Sequence, residues 1–295
     1  MIIVEDRKMK AITIRRTALL AALIIGVVFC LCIYSDCQTA FAQRGTVPMF
    51  FSEGYAGGTY LETQTEEIGY EYKTEEKQSL GLSFPDYFNT SSQLTNSCAN
   101  VAGANVIGYF DRDYVNLIPD YTPGRAHGDS YSYYPMSVEL EKKQAVIDEL
   151  YTLMGTNAVE SGTSYDQYKA GFDAYVTAQG YTAVHSSVMS GGNLNLNAVS
   201  ESIAAGRPVI LFLSGYNLAS LSSKNGKDVY IKMIYGGNHM VVVYEINTLR
   251  YYNAADQLIA ERTIMQVATG FNDVKGFYIV DNNGLVINAE AVGIN

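Results

Sequence analysis

Tryptophan is absent from the 295 residues, and histidine occurs only three times and cysteine only four times. Three scattered histidines give no spacing for a zinc or other transition-metal site, and the lone Asp111-Arg-Asp113 is not continued as a calcium loop. No cofactor is implied. Gly54-Tyr-Ala-Gly-Gly58 lacks the lysine and the strand-to-helix context of a phosphate cradle. There is no internal repeat and no low-complexity tract. Basic residues are scarce, with 20 Lys and Arg against 30 Asp and Glu. At 48% hydrophobic and 17% charged, the composition is that of a globular chain rather than a disordered one.

Much of what little base and thiol there is lies at the start. Arg7, Lys8, Lys10, Arg15 and Arg16 precede an apolar run from Thr17 to Ile33, and Ala40-Phe41-Ala42 supplies a small-x-small cleavage pattern. This is the pattern of a secretory signal peptide, and its apolar run is near the lower limit for a membrane span. Loss of residues 1–42 removes five basic and three acidic residues, leaving 15 against 27 and a net charge of −12. Such a surface disfavours nucleic acid, and it disfavours stable attachment to an anionic membrane. Cys30, Cys32 and Cys37 leave with the leader, so the mature chain keeps Cys98 alone and forms no internal disulfide. Exported proteins pair their thiols or lack them, so a single one calls for a reason: burial, intermolecular pairing or reactivity.

Residues 43–85 read as an N-terminal extension, either a propeptide or a decorating strand or tether. Beyond them the signals sharpen. Asn96 or Ser97 can cap a helix starting near Cys98, Ser137 one over 138–154, and Ser164 one ending near Gln179, with a short helix over about 198–205. The character then switches to strands: Pro208 to Leu213, Met240 to Tyr244 with continuation to Tyr252, Leu258 to Val267, Gly276 to Val280 and Leu285 to Ile287. Helices first and strands second predict an α+β domain over 86–295.

Cys98 falls at a helix start, where unsatisfied N–H groups and the helix dipole favour thiolate. A cysteine nucleophile also needs a base in reach. His127 lies in a polar loop and reads as a surface residue. His185, in Tyr181-Thr-Ala-Val-His-Ser, reads as structural. His239 follows Gly236-Gly237-Asn238 and opens an apolar strand, which places it at the mouth of a cleft. The Cys98 N–H and the Gln93 amide are candidate oxyanion donors.

Gln93-Leu-Thr-Asn-Ser-Cys98-Ala-Asn-Val-Ala-Gly-Ala-Asn-Val-Ile-Gly-Tyr-Phe-Asp111 resembles the nucleophile helix of papain-like cysteine peptidases, in the branch that resembles double-glycine, bacteriocin-processing peptidases. Ala205-Gly-Arg-Pro-Val-Ile210 and Gly237-Asn-His239-Met-Val-Val-Val-Tyr244 are similar to that branch's later strands. Ala99 stands where that branch usually has glycine. The resemblance implies a papain-like fold and a bacterial secreted hydrolase acting on a peptide or protein. In it Cys98 is nucleophile, His239 base and then acid, and Gln93 oxyanion donor. An Asn or Asp orients the histidine in that family. If the His239 strand turned back near Asn247, Asn253 or Asp256 would serve. A ribbon running to Asn253 leaves Thr269, Asn272 or Asp273, and Asn253-Ala-Ala-Asp256 is the better turn, which favours that ribbon; Asn272 is the expected orienter, with the others open and the absence of any strong orienter a further possibility. Two other readings stay open: a different Cys-His acyl-transfer enzyme (transglutaminase-like or amidase-like), and a degenerate module that binds peptide or cell-wall ligands without chemistry. The oligomeric state is not legible.

Overall fold

The computed structural model describes residues 45–47, 54–56, 59–61, 68–81, 84–121, 125–126, 132–133, 140–215, 217–224, 227–234, 237–271, 277–280 and 286–295. The leader and His127, Ser137, Asn272 and Asp273 lie outside the described residues. Among the described residues no helix is long and apolar enough to cross a membrane.

The order is α+β: three helices, then an antiparallel sheet with one further short helix. Helix α1 is Cys98–Phe110, α2 Leu140–Leu153, α3 Tyr165–Ala178 and α4 Leu196–Ala204. The main sheet has nine strands: β1 Tyr72–Ser79, β2 Ala183–Ser187, β3 Val209–Ser214, β4 Asn217–Lys224, β5 Lys227–Ile234, β6 Asn238–Tyr252, β7 Leu258–Ala268, β8 Phe277–Val280 and β9 Val286–Ile294. Its spatial order is β5-β4-β8-β7-β6-β3-β9-β2, every pairing antiparallel. Strand β1 joins on the β3 side of β6: β3 pairs with Asn238 to Val243, and β1 continues along Glu245 to Tyr252.

Helix α1 is buried on every side from Ala99 to Phe110, which is why its sequence is apolar all round rather than striped. Two buried asparagines in it are satisfied locally. The Tyr87 N–H donates to Asn105 Oδ1 at 2.6 Å, and Asn100 donates to Thr156 Oγ1 at 3.0 Å. Ser97 holds the cap position of α1, but its side chain makes no capping hydrogen bond. Ser164 does cap α3, in a reciprocal box with Gln167. The fourth helix starts two residues earlier than the sequence suggests, because Asn195 accepts from the Ala198 N–H and caps it.

Strand β6 runs 15 residues and returns through a turn in which Asp256 adopts φ 57°. The long ribbon is therefore the one formed, with Val242 opposite Ala268 and Tyr252 opposite Leu258. One apolar core spans α1 to α4 and the inner face of the sheet. A smaller cluster of Leu249, Tyr251 and Ile264 sits towards the far end of the ribbon.

Candidate active site

The cleft at the α1 N-terminus has a volume of about 750 Å³. It opens between the start of α1, the loop before α3, and the adjacent ends of β3, β6 and β9. Cys98, His239, Met240, Phe212 and Leu213 all line it. Strand pairing sets this up: Leu213 lies opposite His239 and Phe212 opposite Met240. A register shift in the β3–β9 ladder between Phe212 and Leu213 brings Ile287 and Asn288 to the same opening.

The loop before α3 is tied to the turn that carries the cysteine. Asn96 and Asn157 both adopt left-handed backbone, φ 56° and 62°, which short polar side chains tolerate. Asn96 Nδ2 donates to Asn157 Oδ1 at 2.9 Å, and Asn157 Nδ2 donates to the Thr95 carbonyl at 3.0 Å and to Tyr151 Oη at 2.7 Å. The clasp holds Glu160 to Tyr165 as one rim of the cleft. Glu160 is the one Asp, Glu, Lys or Arg among the described residues that line it.

The main-chain N–H groups of Met240, Ala99 and Cys98 itself reach the Cys98 sulfur and favour its ionised form, as a helix start should. Burial outweighs them, and the thiol pKa is raised. The helix start supplies two of these donors, and the Met240 N–H is added by β6. Met240 is the residue after His239, so the sulfur sits against the strand that carries the imidazole.

His239 is buried, at 8% exposed, and its Nε2 donates to the Thr269 carbonyl at 3.0 Å. A carbonyl only accepts, so the neutral ring carries its proton on Nε2, and Nδ1 is the basic nitrogen. Phe271 stacks on the ring with centroids 4.6 Å apart and planes 9° off parallel. Gly270 makes this turn possible. Its φ is +72°, and a Cβ there would lie 2.7 Å from Val101 Cγ1. Burial lowers the His239 pKa to about 4, with the Thr269 hydrogen bond opposing it.

That depression has a sign. An unfolded histidine takes up its proton near pH 6.5, and the folded one resists down to about 4, so stability is lost as pH falls through this window. The loss expected by pH 4 is about 3 kcal/mol from this residue. Denaturant unfolding at pH 7 and pH 4 will show it, and His239→Gln will remove this share of the difference.

The other sequence candidates separate. Asn253 and Asp256 stand at the far end of β6, about 45 Å of extended strand from His239, and are thereby ruled out as its partners. Gln93 is exposed in the turn before α1 and is not among the described residues lining the cleft. Thr269 meets the histidine through its main chain, a contact that no side-chain pattern announces. Among the described residues no group of three or more His, Cys, Asp and Glu is placed to hold a metal ion.

No family model matches the chain. No curated protein matches it. Among solved structures it is similar to the active wild-type interpain A cysteine protease of Prevotella intermedia, at 14% identity and a TM-score of 0.34, over 73% of this chain and 94% of that one. At that distance the likeness says nothing of chemistry.

Proposed function

We propose that this chain is a secreted cysteine peptidase of papain-like type, and that residues 1–42 are its signal peptide. The observation that carries the reading is the Cys98 thiol at the first turn of α1, hydrogen-bonded by the N–H of Met240, in one cleft with the adjacent His239. A peptide or protein is the substrate the cleft suits: apolar Phe212, Leu213 and Ile287 line it together with a polar loop that carries Glu160. The finer kinship with double-glycine peptidases rests on the sequence stretches around Cys98, Arg207 and His239, and belongs to this proposal.

The reaction starts from a neutral pair, since the thiol pKa is raised and that of the imidazole lowered. His239 Nδ1 takes the Cys98 proton as the sulfur attacks the peptide carbonyl. The oxyanion forms against the Cys98 N–H. Collapse breaks the C–N bond while the imidazolium returns its proton to the leaving amine, and water activated by His239 hydrolyses the thioester. The Thr269 carbonyl holds the ring in the tautomer this needs. Asn272 as a further orienter and Gln93 as second oxyanion donor remain part of the proposal. Gln93 has to turn inward from its exposed position to take that part.

The test is the rate of Cys98 alkylation by an epoxide-type thiol reagent against pH. A working pair labels down to an acid limb near pH 4, where His239 gains its proton. In His239→Ala, labelling will instead follow ionisation of the raised thiol, so the rate at neutral pH drops by about 100-fold. Labelling that is slow and indifferent to His239→Ala would sink the peptidase reading. It would favour a peptide-binding module without chemistry, to which the raised thiol lends weight.

A further inference from the structure

His185 has no part in this reaction, yet a carboxylate oxygen meets each of its ring nitrogens. His185 lies on β2 with its side chain 8% exposed. Its Nδ1 is 2.8 Å from Glu290 Oε1 on β9, and its Nε2 is 2.7 Å from Asp173 Oδ1 on α3. Two carboxylate oxygens, one at each ring nitrogen, call for a donor at both, which only the imidazolium supplies. The other oxygen of Glu290 accepts from the Tyr165 hydroxyl at 2.6 Å. Tyr165 opens α3, lines the cleft, and sets its ring edge-on against Phe212 at 5.0 Å, itself a cleft residue. An unbroken chain of polar contacts therefore runs from the surface at Asp173, whose side chain is 48% exposed, to the wall of the cleft.

We propose that Asp173, His185 and Glu290 form a clamp, buried at His185 and Glu290 and open to solvent at Asp173, that fixes Tyr165 in the cleft wall, so that the proton on His185 sets the shape of the cleft. The clamp follows from geometry alone. Its consequence for a peptide, with Tyr165 as a positioning residue, rests on the peptidase reading. A buried charge trio is a poor way to gain stability, because an apolar set of the same volume does as well. Its reach into the cleft gives it a use.

The direction is set by the groups that face the ring. Burial by itself would lower the His185 pKa, but the hydrogen bonds and charges of Glu290 and then Asp173 outweigh it and leave it raised. Tyr165 and Tyr168 on α3 add no positive charge: burial and Glu290 hold both phenols protonated. Lys169 lies over the Tyr165 ring at 5.8 Å, and Arg207 reaches Ser186 beside His185 at 3.5 Å. Phe172 contributes an apolar edge. The clamp on the imidazolium thus loosens as pH rises through the raised value, the opposite sense to His239.

Two measurements on the protein test this. In the first, labelled histidine and tyrosine side chains are followed by NMR from acid to alkaline pH. The Tyr165 ring signal is expected to move with His185, at one midpoint above the ordinary histidine value of about 6.5. In Glu290→Gln the His185 midpoint drops and Tyr165 stops following it. A Tyr165 signal that stays constant while His185 titrates overturns the clamp, and so does one that still follows it in Glu290→Gln. In the second, Cys98 is alkylated by iodoacetamide and by a dipeptidyl epoxide with an aromatic side chain. Tyr165→Phe keeps the ring and loses the anchor, so the epoxide rate should fall about five- to tenfold and lose its alkaline decline, with iodoacetamide unchanged. Equal epoxide rates in Tyr165→Phe and wild type at every pH remove the positioning role. A wild type that ignores the epoxide but shows the shared NMR midpoint keeps the clamp and removes the peptidase reading.

Discussion

On the peptidase reading, Cys98→Ala will abolish hydrolysis of a denatured protein substrate, with a fall in kcat/KM of about 1,000-fold or more, and will leave the fold in place. The asymmetry follows from where the residue sits. Its sulfur is the one thiol among the described residues, and it receives N–H groups from α1 and from β6. Its sulfur meets the N–H of Met240, the residue after His239, and both residues line one cleft. Structurally the exchange is mild: Cys98 packs only at the edge of the core, and alanine suits a first helical turn. Unchanged circular dichroism and melting together with lost turnover is the expected pair of results. Turnover at the wild-type rate in Cys98→Ala would end the peptidase reading, whatever the histidine does.

Gly171→Ala will be strongly destabilising, because the added methyl group meets main chain. On an isolated helix the exchange is stabilising by about 1 kcal/mol. Here a Cβ would lie 2.5 Å from Met154 Cγ and, worse, 2.6 and 2.7 Å from the Met154 main-chain N and Cα. A side-chain tip can swing aside, but main chain at a helix crossing cannot, so α2 and α3 must part. Overpacking of that kind costs about 1–3 kcal/mol and more where backbone is involved. Melting should fall by about 5–10 °C. Gly103→Ala is the comparison, since its Cβ would meet only the flexible ends of Leu150, Met154 and Phe172 at 3.2–3.4 Å. A smaller loss there than at Gly171 separates the close approach from any general cost of a methyl group. Because α3 also carries Tyr165, the same variant should slow epoxide labelling of Cys98.

The helices and the β3, β6 and β7 strands were legible because each has a strong local cause: a capping residue, a continuous apolar run, a turn of the right composition. The long ribbon was legible for the same reason, since Asn253 to Asp256 makes a better turn than Asn247-Thr248. Two elements of the sheet were not. Strand β1, Tyr-Lys-Thr-Glu-Glu-Lys-Gln-Ser, carries no apolar alternation and owes its existence to the open edge of β6. The β4–β5 hairpin is similarly polar at its tip, although Asn225-Gly226 between its strands is a strong hairpin signal that could have revealed it. At the site, residue type and order single out Cys98 and His239, and the structure sets both on one cleft. The Thr269 carbonyl could not be, because every residue has one and only the register of β6 and β7 selects it. His185 was read as structural, and nothing in its own neighbourhood in the sequence announces Asp173 and Glu290 as its partners.

The pairing of β1 with the outer half of β6 also fixes an order of events in synthesis. Tyr72 must wait for Tyr252, and Ser79 for Glu245, before either has its neighbour. A segment made early is therefore placed only when a distant one is present to receive it. Until then the outer half of β6 has a bare edge on that side, and closing it joins segments more than 160 residues apart.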